Sequence, residues 1–171
     1  MQEKPSTARV ALKWGVVLGV VLIVYTLILF LTEQVGNQNL GWISLALSVT
    51  FIVLAMREFR TLNEGYLSLG EGMGVGTLVS AISGLISATF STIYTTFIDT
   101  AFYERLTDTM QEQLEEQGRS ETEIEQSMEI MKMFQSPGLS FAFGLIGAVV
   151  FGLILSLIIA AILRKKRPIF D

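Results

Sequence analysis

The amino-acid sequence predicts an all-α membrane protein: four transmembrane helices, with an extracytoplasmic amphipathic helical hairpin between the third and the fourth. Three observations predict it. Hydrophobic residues fill 51% of the 171 positions and charged ones only 16%, against about 25% charged in a typical soluble domain. Stretches without Asp, Glu, Lys or Arg run over 14–32, 37–56, 72–98 and 133–163, and about 20 apolar residues suffice to cross a bilayer as a helix. The one long polar stretch, 99–135, keeps a helical period.

The first span, 14–32, follows Lys4, Arg9 and Lys13, the flank a signal peptide would have. Its apolar part is too long for one, and Thr32-Glu33-Gln34 is not a small-residue cleavage site, so it reads as a retained anchor. The apolar part of the second stretch, 40–56, is at the short end for a crossing. The third, 72–98, has 27 residues and is long enough to tilt. Ser136-Pro137-Gly138 favours a break before the fourth, which leaves 139–163 to span. A single membrane domain, 1–171, accounts for the whole length.

Basic residues set the orientation. Lys4, Arg9, Lys13, Arg57, Arg60, Arg164, Lys165, Lys166 and Arg167 fall on one side, whereas the first loop has no Lys or Arg and the long third loop only Arg105, Arg119 and Lys132. The positive-inside rule then puts both termini in the cytoplasm and the hairpin outside. Trp14 and Trp42 near span ends suit the interface.

The polar stretch 99–135 has ten acidic residues against three basic ones. Tyr103, Leu106, Met110 and Leu114 recur at spacings of three and four, one face of a helix. Gly118 ends that pattern as a C-cap would, and Ser120-Glu121-Thr122-Glu123 has the form of a capping box. Ile124, Met128 and Met131 continue as a second stripe. These two stripes pair with each other, rest on the outer leaflet or form a partner surface, the last because methionine-rich faces adapt to partners. Clustered carboxylates at Glu112, Glu115 and Glu116 lack the ligand spacing of a calcium loop, so no metal site is expected.

Inside the bilayer the third span has a small residue every fourth position: Gly72, Gly76, Ser80, Gly84, Ala88 and Thr92. The fourth matches it with Gly144, Ala148, Gly152, Ser156 and Ala160. Lipid gives helices no hydrophobic reason to associate, so small residues that let backbones approach predict tight packing of this pair. The first two spans, the first with only a short Gly15-x-x-x-Gly19 motif, are expected to be lipid-facing support. A hydroxyl row, Ser83, Ser87, Ser91 and Thr95, leaves a groove along the third span as an alternative use of that surface.

Several chemistries are disfavoured. The chain has no Cys and no His, so thiolate and imidazole nucleophiles, bases and metal ligands are missing. No ionisable Asp, Glu, Lys or Arg lies within a span, which argues against a proton-coupled pump. Glycines at 70, 72, 74 and 76 are followed by no Gly-Lys-Ser/Thr and do not form a phosphate loop. Glu58, Glu64 and Glu71 are expected to pair with Arg57 and Arg60 at the headgroup level. Among interfacial carboxylates, Glu71 and Asp99 would stand roughly 40 Å apart along one helix and cannot cooperate, and Glu64 and Glu71 lack a nucleophile. No catalytic residue, cofactor or nucleic-acid partner is expected.

Lys13-Trp14-Gly15, Leu40-Gly41-Trp42-Ile43, Arg57-Glu58-Phe59-Arg60, Gly65-Tyr66-Leu67-Ser68-Leu69-Gly70-Glu71-Gly72, Phe97-Ile98-Asp99 and the Glu-rich hairpin resemble the bacterial membrane proteins catalogued as domain of unknown function 4199. The resemblance implies an inner-membrane protein of a two-membrane envelope, with a periplasmic hairpin, and brings no activity. Together these readings favour a non-enzymatic structural or interaction subunit, engaging lipid and another envelope protein through the hairpin, with homo-oligomerisation left open. The alternative is a small transport or lipid-handling protein with a Ser/Thr-lined groove.

Overall fold

The computed structural model describes residues 5–35 and 37–165. Lys4, Lys166 and Arg167, counted above for orientation, lie outside the described residues. The described chain is helical: α1 (Thr7–Leu31), α2 (Gln38–Leu62), α3 (Leu69–Ile93), α4 (Phe102–Glu116), α5 (Glu121–Phe134) and α6 (Pro137–Leu163), with a π-helical turn, Tyr94–Ile98, prolonging α3. Four of these, α1, α2, the prolonged α3 and α6, are long and apolar enough to cross a membrane. On α6 Val150, Ile154, Ile158 and Ile162 stay exposed, a surface that suits lipid and would be a liability in water.

The helices outrun the apolar stretches because caps, not hydropathy, end them. Ser6 starts α1 by accepting the Arg9 N–H at 3.3 Å. Ser68 and Glu71 start α3 with a capping box: the Ser68 amide donates to the Glu71 carboxylate at 2.9 Å, and the Glu71 amide to the Ser68 hydroxyl at 3.3 Å. Pro137 is the first residue of α6, where its missing N–H costs nothing. In the π-helical turn the Asp99 N–H reaches Tyr94 O at 2.9 Å.

Helix α3 is the axis of the bundle, with its most extensive contacts to α6 and α1. Against α6 it runs antiparallel in a fixed register that pairs Gly72 with Ala160, Gly76 with Ser156, Ser80 with Gly152, Gly84 with Ala148 and Ala88 with Gly144. A Cβ added at Gly72 would lie 2.6 Å from that of Ala160, and one at Gly76, Gly84 or Gly152 would overlap its partner outright. Each contact sets a glycine against Ala or Ser, so the backbones meet without a side chain between them.

Helix α1 is not the lipid-facing support its sequence suggests. Gly15 and Gly19 receive Ile82 and Ile86 of α3, and a Cβ at these glycines would lie 2.8 and 3.0 Å from the isoleucine Cβ atoms. Two glycines one turn apart are enough to seat a helix when branched side chains fill the notch. Helix α2 packs less widely, through Ile52, Ala55, Met56 and Phe59, all buried.

One end of the bundle gathers the basic segments. Glu58 of α2 accepts from Lys13 Nζ and from Trp14 Nε1, both at 2.7 Å. Leu67 and Lys165 exchange backbone hydrogen bonds of 3.0 and 2.8 Å, joining the α2–α3 loop to the end of α6. Arg60 Nε donates to Gly65 O at 3.0 Å. The expected pairing of Glu58 with Arg57 and Arg60 is thereby corrected. Because α2 stays helical through this segment, neighbours one and two apart do not face each other, and Glu58 turns to α1 instead.

At the opposite end α4 and α5 form a helical pair. Gly118, at φ +69°, closes α4, with Gly118 N donating to Glu115 O at 2.9 Å and Arg119 N to Leu114 O at 3.1 Å. Ser120 and Glu123 then form the capping box of α5.

Two predictions follow from these contacts. Gly76→Leu should cost about 1–3 kcal/mol by overpacking, read as a lower melting temperature in detergent, whereas Gly147→Leu, with nothing within 4 Å, should leave stability within about 0.5 kcal/mol. Equal melting of both variants would rule out the tight α3–α6 seam. The Ser120 amide and hydroxyl hold the Glu123 carboxyl below its ordinary value of 4.5. A depressed folded-state value stabilises the cap above pH 4.5 and loses that contribution as pH falls through and below it. The protection factor of the amides at the start of α5, measured against the unstructured rate at each pH, should therefore fall on acidification in the wild type, and Glu123→Gln should flatten the response.

Candidate functional site

The inward face of α2 changes size along its length. Gly41, Ser44 and Ser48 occupy it at the hairpin end, and Ile52, Met56 and Phe59 at the basic end. The large residues close the bundle against Val75, Val79 and Ile159. The small ones face other small residues of α3, Ser83, Ser87 and Ser91, and of α6, Ser140, Gly144 and Ala148. The result is a cavity of about 430 Å³ between α1, α2, α3 and α6, partly open to the surroundings. That size lies within the range of small-molecule sites.

The wall is apolar with a line of hydroxyls. Four donate to their own helix: Ser44 to Gly41 O and Ser48 to Ser44 O, each at 2.8 Å, Ser83 to Ser80 O at 3.2 Å and Ser140 to Pro137 O at 3.1 Å. Each of these hydroxyls keeps its capacity to accept a hydrogen bond. The Ser87 hydroxyl, in the same wall, is buried without a hydrogen-bond partner. Among the described residues no Asp, Glu, Lys or Arg lines the cavity. Such a wall can solvate an uncharged chain carrying a few polar atoms and has no base to activate a nucleophile.

The packing residues read from sequence, Gly72, Gly76, Ser80, Gly84, Ala88, Gly144, Ala148, Gly152 and Ser156, are brought together along the α3–α6 seam. Ser80, Gly84, Ala88, Gly144 and Ala148 also border the groove, so one row serves both. Of the expected partner surface, Tyr103, Leu106, Leu114, Ile124, Met128 and Met131 are half-buried in the hairpin region and only Met110 is exposed. Tyr103 reaches the mouth of the groove. The α2 wall was not picked out from the sequence; the signal was the shift from small to large residues at helical spacing along 41–59.

A second cluster joins the hairpin to the spans. Arg105 of α4 binds Asp99 at 2.5 Å and lies 3.9 Å from Glu33, just beyond α1. The Asp99 carboxylate raises the Arg105 pKa above its ordinary value. Beside it Phe30 stacks on Tyr94 with ring centroids 4.6 Å apart and meets Phe102 at 5.0 Å. Sequence spacing could not pair Phe30 with residues more than sixty positions away. Arg105→Ala should release the start of α4, read as faster amide exchange over its first turn with α3 and α6 unchanged; exchange identical to wild type would show that Arg105 does not hold it.

Neither the curated proteins nor the solved structures contain a match to the chain. A family model does, over residues 13–165, a range that includes both walls of the groove, the α3–α6 seam and the hairpin. On that match the chain belongs to the family described as Protein of unknown function (DUF4199).

Proposed function

We propose that this is a non-enzymatic, multi-pass protein of the bacterial inner membrane that takes the chain of a membrane lipid into the groove between α2, α3 and α6. The observation that carries the reading is the cavity of about 430 Å³ closed at the basic end and bordered by small and hydroxylated residues. In a bilayer, lipid is the solvent at this depth, and an uncharged wall accepts chains and rejects ions. Orientation follows from the basic residues that share one end: that end is cytoplasmic, and the hairpin, with its acidic excess, is periplasmic.

A second reading, docking of another envelope protein on the hairpin, is favoured by Met110, Ile130 and Met133, which are 41%, 57% and 61% exposed on α4 and α5. Cross-linking in native membranes separates the two, because a partner would be trapped by hairpin positions and not by groove positions.

The groove reading is tested with a photoreactive fatty-acyl phospholipid in vesicles containing the full chain. Labelled peptides should map to α2 and α3 around Ser48 and Ser87. Ser48→Trp, which places an indole in the groove, should abolish that labelling while the melting temperature stays within a few degrees of wild type. Labelling spread evenly over the exposed face of α6 and untouched by Ser48→Trp would reject the groove as a lipid site.

A further inference from the structure

At its hairpin end the groove meets Tyr103 of α4. Tyr103, in the first turn of α4, borders it and also borders a second cavity of about 450 Å³ on the hairpin side, whose other walls are Thr100, Glu104, Thr107, Asp108 and Gln135. One aromatic residue is therefore common to an uncharged slot within the spans and a polar cleft outside them. The cleft is organised: the Thr107 hydroxyl donates to Tyr103 O at 2.7 Å and accepts from Gln135 Nε2 at 3.4 Å. Gln135 follows α5, so the cleft is formed jointly by the two ends of the hairpin.

Its charge is one-sided. Glu104 and Asp108 lie one turn apart on α4, and neither forms an ion pair among the described residues. The nearest cation in sequence, Arg105, is held by Asp99 and Glu33. A slot for a chain, sharing Tyr103 with a cleft that holds two unneutralised carboxylates and several hydroxyl and amide groups, is the outline of an amphiphile with a cationic head.

Resting on the groove reading above, we propose that the occupant is a lipid whose headgroup bears an ammonium and no net negative charge, the ammonium lying between Glu104 and Asp108 and the chain passing Tyr103 into the slot. An anionic headgroup would meet two like charges at the same place. The attraction acts at headgroup level, where water and salt screen it, so it selects among lipids and does not by itself bind them.

The test uses the full chain in nanodiscs of equal phosphatidylethanolamine and phosphatidylglycerol, extracted in mild detergent, with retained lipid counted by native mass spectrometry. Wild type should retain phosphatidylethanolamine roughly fivefold over phosphatidylglycerol. Glu104→Gln with Asp108→Gln should level the ratio, and Glu104→Lys with Asp108→Lys should turn it toward phosphatidylglycerol. Retention of lipid without preference, or of phosphatidylglycerol by wild type, overturns the headgroup assignment and leaves the groove reading standing. A ratio in the double Gln variant equal to that of wild type also overturns it. Retention of neither lipid by wild type, with Ser48→Trp behaving identically, overturns the groove reading itself.

Discussion

The close approach of α3 and α6 is the constraint on which the rest depends. Five facing pairs of small residues, from Gly72 with Ala160 to Ala88 with Gly144, fix the rotation and register of both helices at once. Nothing in lipid replaces this contact, because apolar side chains gain little by leaving one hydrocarbon environment for another. With α3 and α6 locked, α1 takes the adjacent face through Gly15 and Gly19, and α2 takes what remains. The hydroxyl row of α3 is then left facing α2, whose own residues decide whether the space is filled.

That division explains how one bundle can be solid at one end and hollow at the other. Small residues do opposite things depending on their neighbours. Where Gly meets Ala or Ser across a close seam, the backbones touch and no void forms. Where Gly41, Ser44 and Ser48 of α2 face Ser83, Ser87 and Ser91 of α3, the helices are held apart at the other end by Ile52, Met56 and Phe59, and a cavity of about 430 Å³ remains. Four of the hydroxyls that line it, on Ser44, Ser48, Ser83 and Ser140, are satisfied on their own helices, so these positions tolerate an apolar occupant. The hairpin borders this cavity through Tyr103 and is secured by Arg105 and by the packed rings of Phe30, Tyr94 and Phe102.

Much of this was legible in the residues. The apolar stretches, the small-residue rows, Gly118 and the Ser120 capping box are local or periodic signals, and each is expressed by residues a few positions apart. What was not legible depended on geometry between distant segments. The sequence offered no way to see that Glu58 would serve Lys13 and Trp14, or that a single Gly15-x-x-x-Gly19 motif would seat α1 as firmly as the longer row seats α6. The groove fell between the two cases. The hydroxyl row of α3 marked one wall, while the opposite wall required knowing which face of α2 turns inward.

The central claim is that the space between α2, α3 and α6 is a lipid site and not a gap that closes in the membrane. An experimental structure of the full chain in a lipid nanodisc tests it most directly. The account predicts an elongated density beside Ser48 and Ser87, continuing past Tyr103 toward Glu104 and Asp108. Helix α2 packed directly onto α3 along Ser44, Ser48, Ser87 and Ser91, with no density between them, would contradict it.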